Sequence, residues 1–528
     1  MIRPFIICLS LTLSGQLFSQ QDFLPLHYEV KSLYETHLNK LDVNFHTCVR
    51  PYNRHEVLLT GADSAVKEKK GAIKISRLGD EFIYGFSLKD SSSSPFSVIA
   101  LPLMNGSYGL SLSSDTSFIQ SGAGAMLDMQ LKNKLAVYGE FYTDNSSWAD
   151  WTGNFADSTQ ILPSLGYAHE TKAGYSYTML SGYFSYTPHP YFNFRAGYGK
   201  NFFGDGYRSM LLSDNAYNYP YLSVTTSFWR VKYVNLFAMM DDIRGTDGKN
   251  SQFKKKFTSM HFLNWNISRR VSLGIFEAIV WQAKDTLLNR QFDINYLNPF
   301  IFYRPVEYSL GSADNALMGL NLKVKITDNY LVYGQALIDE FLLSEIKKDS
   351  GWWANKYAFQ AGAKILEPFK VKNLQLQYEF NMARPFTYSH GSTLQNYAHF
   401  NAPLAHPLGS NFKENVIFAR YGFKNFQLEN QTNFAIYGTD SSVLSYGGNV
   451  YQSYNNRAQD YNNVIGQGLK NDLFYNKFTI SLILIPSVNL RLFVSHIYRQ
   501  LKNENQTVTS HYLQAGLSTR LWNSYSDF

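Results

Sequence analysis

The densest run of side chains able to do chemistry lies at residues 199–216, where GKNFFGDGYRS is followed by LLSDNA. Gly204 and Gly206 let the backbone fold back on itself. Asp205, Arg208, Asp214 and Asn215 then offer charged and amide groups beside the rings of Phe203 and Tyr207. Such a set either pairs with itself as a loop core or hydrogen-bonds the hydroxyls of a sugar stacked on an aromatic ring. It is no phosphate cradle, because the Walker spacing is absent and no helix is expected to follow. A second run, residues 298–315, holds Arg304 and Glu307, a pair expected to bridge within a loop or on the wet side of a sheet. A third contains His390, His399 and His406, whose spacings match no familiar zinc pattern and which no cysteine assists, so loop hydrogen bonding is expected and no metal. Asp339, Glu340 and Glu345 are of the type that hydrolyses glycosides in pairs. Acidic residues on the wet face of a sheet are nonetheless ordinary, and no nucleophile elbow, HExxH or kinase set accompanies them. No catalytic residue, no cofactor and no enzymatic activity are expected.

The elements that must position these residues are strands. Leu374, Leu376, Tyr378 and Phe380 alternate with Gln375, Gln377, Glu379 and Asn381, and the pattern recurs at residues 125–131, 192–198 and 426–436. One face is apolar and the other wet. Beyond the first residues, no stretch is long and apolar enough for a spanning helix. Tight links at residues 132–133, 188–190, 268–270, 327–329, 367–373, 424–425 and 486–488, with one more near Arg230, alternate with long segments near 143–170, 200–220, 283–315, 384–412 and 439–471. Two sets of loops mean two sides, short turns facing the periplasm and long loops facing out. The reading is an all-β, transmembrane antiparallel outer-membrane barrel of about 18 strands, with both ends of the chain on the periplasmic side. Aromatic residues near one turn, among them Tyr183, Phe184, Tyr186, Tyr191 and Phe192, suit an interfacial girdle, which soluble β-sandwiches do not need.

The 528 residues carry 17% charged and 16% aromatic side chains, too few charges and too many rings for a disordered chain. The net charge of +7 is spread without a basic block, so nucleic acid is not a partner. Residues 1–20 read as a cleaved secretory signal: Arg3, an apolar run over residues 5–17, then a polar exit. Cys8 would leave with it, and Cys48 is a small buried side chain rather than a reactive thiol. Residues 21–105 form an N-terminal extension, periplasmic or plugging the barrel, with a helix expected over residues 28–38 and a solvated charge run at 67–70. The barrel itself is assigned to residues 106–528. Trp352 and Trp353 offer a stacking platform, though as neighbours on a strand they would face opposite sides.

GYGKNFFGDGYRSMLLSDNA at residues 197–216 resembles the signature of the capsule assembly Wzi-like family, and more closely its branch known as gliding motility protein RemB. HTCVRPYNR (46–54), FEAIVWQ (276–282), YLNPFIFYRPVEYSLGSADNALMGLN (296–321), YGQALIDEF (333–341), WWANKY (352–357), ARPFTYSH (383–390) and HPLGSNF (406–412) are similar to that branch, so the likeness covers nearly the whole mature chain. It implies an outer-membrane barrel without enzymatic activity: Wzi proteins bind surface polysaccharide and tether capsule, and the RemB-like branch is associated with movement over surfaces. The expected partners are outer-membrane lipid, a surface polysaccharide, and gliding or secretion machinery. The alternative is a porin-like channel or a structural accessory subunit of a secretion or gliding machine. On the first reading Phe203, Asp205, Tyr207, Arg208, Asp214 and Asn215 are the candidate glycan contacts.

Overall fold

The computed structural model describes residues 22–62, 86–89, 96–131, 134–284, 290–300, 314–485, 489–519 and 521–528. Their strands close into one antiparallel barrel of eighteen staves. In chain order these are β1 (Phe96–Ser111), β2 (Ser117–Leu131), β3 (Leu135–Ser146), β4 (Gly174–His189), β5 (Phe192–Gly199) and β6 (Tyr219–Phe228). Next come β7 (Val231–Asp242), β8 (Lys254–Asn266), β9 (Val271–Gln282), β10 (Asn315–Lys325), β11 (Tyr330–Glu340) and β12 (Lys356–Leu366). The last are β13 (Leu374–Ala383), β14 (Phe412–Phe423), β15 (Phe426–Thr439), β16 (Leu469–Ile485), β17 (Leu490–Asn503) and β18 (Thr507–Thr519). Each pairs with its sequence neighbour, and β18 closes on β1 through Tyr512↔Ser111 to Ser518↔Asn105. Closure removes every sheet edge, and with it the unpaired backbone groups that lipid cannot solvate.

The period-two pattern decides which side each residue takes. Leu127, Phe141, Phe184, Phe194, Leu222, Leu320, Val332, Ile417, Phe434, Ile480 and Val494 point outward and are exposed, while their neighbours Asp128, Glu140, Arg195, Asn321, Gln431 and Ser495 point inward. The outward set meets hydrocarbon, and the barrel belongs in the Gram-negative outer membrane. Tight links join the strands on one side, and there the outer surface carries Tyr186, Tyr191, Phe192, Phe228, Trp229, Phe423 and Phe426, an interfacial belt. Tyr183, expected in that belt, has the other parity. It faces the lumen, where its hydroxyl accepts the Phe23 amide at 2.8 Å. Over β7–β9 the lipid face is covered by residues 290–300, which pack Phe292 and Tyr296 onto Phe257 and Trp281. Helix α1 (Tyr28–Leu38) starts on a His27 ring that accepts the Glu29 amide, and α2 (Arg54–Leu59) on an Asn53 side chain that accepts the Glu56 amide. A third helix, α3 (Asp150–Thr159), caps the β3–β4 loop and ends on a left-handed Gln160.

Candidate functional site

The loop from β5 to β6 does not reach outward; it folds into the lumen. Its residues Phe202 and Phe203 pair antiparallel with Arg50 and Val49 of the N-terminal segment, and Phe203 bridges back to Leu212. A band of the β7–β12 inner wall is apolar, and Met210, Leu211 and Leu212 pack there against Leu236, Met260, Phe262 and Phe276. Phe203 stacks on Phe262 at 4.8 Å. Sequence alone predicted a wet inner face, but here the loop supplies the apolar partner that lets the wall be dry.

The opposite side of the loop is ionic. The amides of Tyr207 and Arg208 donate to the two oxygens of Glu379 at 2.8 and 3.0 Å. Arg208 Nη2 and Nε reach the Glu414 carboxylate at 3.0 and 3.3 Å, and Nη2 also lies 2.9 Å from Asp527 Oδ2. The three side chains are almost wholly buried, so the pairing is what makes their burial tolerable. Gly206 is required: a Cβ there would lie 2.4 Å from Glu379 Oε2 and 2.8 Å from the Arg208 carbonyl. Gly204 takes a φ of 150° beside Gln335, which would meet a Cβ at 2.4 Å.

Asp205 accepts from Thr47 Oγ1 at 2.5 Å and Asn321 Nδ2 at 3.0 Å, with Lys323 Nζ at 3.6 Å. Burial pushes its carboxyl up, but Lys323, the two hydrogen bonds and Lys31 outweigh it and hold the group below the usual aspartate range. Asp214 accepts from Asn523 at 2.7 Å and from the Tyr525 hydroxyl at 2.6 Å, and Asn215 donates to the Pro403 carbonyl at 3.0 Å. The Tyr207 ring packs on Phe418 at 4.7 Å and its hydroxyl donates to Asp527 at 3.1 Å. All six sequence-predicted contacts are thus brought together, inside the lumen and against protein partners. Arg304 and Glu307 lie outside the described residues.

Two further segments complete this plug. Helix α1 crosses the mouth on the short-turn side: Lys31 donates to the Asp205 carbonyl at 3.0 Å, Glu35 pairs with Lys364 at 2.5 Å, and Glu29 pairs with Arg491 at 2.5 Å. Desolvation works against Glu35, yet Lys364 and Lys31 hold its carboxyl well below the usual range. Residues 521–528 enter from the last strand and supply Asn523, Tyr525 and Asp527; Arg499 Nε donates to the Phe528 carbonyl at 2.9 Å. Phe528 packs on Phe155 at 4.7 Å. Between residues 22–26 and the β2–β6 wall a cavity of about 110 Å³ remains, lined among others by Asp128, Glu140, Arg195, Lys200 and Tyr221.

The three loop histidines are used separately. His399 Nδ1 accepts the Asp241 amide at 2.9 Å and its Nε2 meets the Asn218 carbonyl at 3.1 Å; His406 Nε2 meets Glu414 at 2.7 Å; His390 accepts the Ser392 amide at 3.2 Å. Burial lowers His390 and His399 to about 4, so both stay neutral. Lys356 lies 3.2 Å from Asp339 and 3.1 Å from Glu340, and Glu345 pairs with Lys348 at 2.7 Å. Cys48 is buried beside Asp205, and desolvation followed by that carboxylate drives its thiol far up, leaving it inert.

On the long-loop side the arrangement differs from expectation at Trp352 and Trp353. They lie in the β11–β12 loop, not on a strand, and their rings meet edge-on at 6.1 Å on one side of the chain. Tyr454 packs on Trp353 at 4.7 Å, His390 on Tyr454 at 5.7 Å, and the Arg457 guanidinium covers Trp353 at 4.4 Å. All are half-buried, so ring faces and polar edges stay within reach of solvent. Sequence reasoning missed Tyr454 and Arg457 because the only local signal was a pair of tryptophans, and their partners come from two other loops.

No family model and no curated protein matches the chain. Among solved structures it is similar to the Escherichia coli outer-membrane protein Wzi, a carbohydrate-binding β-barrel involved in group 1 capsule assembly. That match has 10% identity and a TM-score of 0.56 over 94% of this chain and 98% of that one. It is also similar to Pseudomonas aeruginosa OprD, with 9% identity and a TM-score of 0.42 over 83% and 97% of the two chains. At these identities the Wzi likeness shows the fold.

Proposed function

We propose that this barrel is a non-enzymatic outer-membrane protein that holds surface polysaccharide, of the capsule or exopolysaccharide kind, at its external loops. The observation that carries the reading is the plug. Arg208 is locked between Glu414 and Asp527, α1 is ion-paired across the mouth, and the β5–β6 loop fills the middle. An anchor works with such a lumen, whereas a general pore does not. The surface assigned to glycan is the ring cluster of Trp352, Trp353, His390 and Tyr454 with the Arg457 cation, since sugar faces stack on rings while hydroxyls take the polar edges. Phe203, Asp205, Tyr207, Arg208, Asp214 and Asn215 then act indirectly, by holding the inner ends of the loops that present those rings. The overall likeness to a carbohydrate-binding barrel supports this. The strings similar to the RemB-like branch support a role in surface movement as a consequence of glycan attachment.

One observation favours the channel alternative, the cavity of about 110 Å³ that has Arg195 and Lys200 on its lining. Single-channel conductance of the purified barrel in a planar bilayer separates the two, with and without polysaccharide extracted from the producing cell. A silent barrel that retains the polysaccharide, and loses it on Trp352→Ala/Trp353→Ala substitution, supports the anchor. Steady current indifferent to polysaccharide refutes it.

A further inference from the structure

The strand register sorts the outward side chains of β13–β17 into rows. The row nearest the long loops holds Lys413, Ile436, Asp472 and Lys502. Directly below it run Phe380, Asn415, Phe434, Phe474 and Gln500. Phe434 and Phe474 touch at 5.1 Å, and a groove of about 420 Å³ opens over them on the outside of the barrel. Lower down the surface is exposed and apolar at Ile480, Leu492, Val494 and Leu513. Cations above, an aromatic floor with two amides, then a greasy field: the order matches an acidic amphiphile standing in the outer leaflet.

The charges are unspent. Among the described residues neither Lys413 nor Lys502 lies within ion-pair distance of a carboxylate, Asp472 being the register partner of Lys502 but turned to Lys470, whereas Lys255 near the long-loop end of β8 is held by Asp241 at 2.6 Å. Asp472 is already engaged by Lys470 at 3.7 Å, and Lys413, Lys470 and Lys502 against Asp472 and the exposed Glu504 in the next turn leave the rim at +1. Lys413 and Lys502 stand on strands three apart, about 14 Å at the usual strand spacing. One phosphate does not span that separation; two phosphates on the ends of a disaccharide do.

We propose that this groove is a binding site for a diphosphorylated glycolipid of the outer leaflet, with its phosphates on Lys413 and Lys502 and its acyl chains over Phe434 and Phe474. The test uses the full-length barrel in detergent, titrated with hexa-acyl diphosphoryl lipid A and with the same lipid stripped of phosphate, and bound lipid counted by native mass spectrometry. Expected are one tightly held diphosphoryl lipid per barrel and an affinity about tenfold or more lower for the Lys413→Gln/Lys502→Gln variant. The phosphate-free lipid should bind as weakly, and Lys255→Gln should bind as the parent does. Both lysines are exposed, so folding is not at stake, and heat-modifiable gel mobility verifies it. A double variant that loses less than about threefold, or phosphate-free lipid that binds as tightly, overturns the proposal.

Discussion

Replacing Arg208 with methionine keeps much of the side-chain volume and removes one charge from a site that holds three. The guanidinium makes two hydrogen bonds to Glu414 and lies 2.9 Å from Asp527. Without it two carboxylates face each other in the lumen with His406 on Glu414 and only neutral donors, Tyr207, Asn381, Gln431 and Asn433, to share between them. Breaking a buried pair by deleting one partner costs about 3–5 kcal/mol, because the other is left uncompensated. Since a tenfold change in equilibrium is about 1.4 kcal/mol, the folding equilibrium constant should fall by about two to four orders of magnitude. The assay is urea unfolding of the refolded barrel in one detergent, followed by heat-modifiable mobility and tryptophan fluorescence, for Arg208→Met, Asp527→Asn and the double variant. Because the groups touch, the double variant should lose less than the sum of the singles. A loss below about 1 kcal/mol for Arg208→Met, with additive singles, would show that the lock contributes nothing and refute the reasoning.

Gly206→Ala should cost about 1–3 kcal/mol in the same assay, because its methyl would stand 2.4 Å from Glu379 Oε2 with backbone behind it; an unchanged midpoint would mean the loop has room. Asp205 has a depressed carboxyl, so the stability it contributes is fully present above its unfolded pKa of about 4 and is lost as pH falls through the lower folded value. The gap between the parent and Asp205→Asn should therefore be widest at neutral pH and shrink only below about pH 4; a gap constant down to pH 2.5 would exclude the linkage. Lys364→Met removes one of the two cationic partners of Glu35 and one donor to the Asp205 carbonyl, and should make residues 22–62 accessible to protease while the strands stay intact. Equal cleavage of parent and variant would argue that α1 is held by packing alone.

The staves were legible because alternation is a local code: Leu374 to Asn381 declares its two faces without any other residue being known. The tight links at 188–190, 268–270, 327–329, 367–373 and 424–425 were legible from their polar and proline residues, those at 132–133 and 486–488 lying outside the described residues, and so was the helix over residues 28–38. The fate of the 199–216 run was not. Its loop glycines and charges read as a loop core ahead of a sugar site, and the deciding partners, Glu379, Glu414 and Asp527, lie 171, 206 and 319 positions away at the nearest contacts. Glu379 looked like an ordinary wet-face residue of its strand, and nothing in the sequence singled out Glu414. Trp352 and Trp353 were visible as a pair, but the assumption that they sat on a strand turned their rings apart; in a loop, adjacent side chains share a side.

The plug also implies an order of events. Tyr28 contacts Asn523 across 495 positions, and Tyr207 contacts Asp527 across 320. Each closure needs the ring of strands to exist first, since Phe418, Glu379 and Glu414 project from staves that are placed only by their neighbours. Contacts this distant along the chain form late. A barrel caught during insertion, with all its staves hydrogen-bonded but the tail not yet seated, would be a temporary hole in the membrane. The seating of Asp527 on Arg208 is then one of the steps that seal it, so cells making a variant without that contact should leak more than cells making the parent.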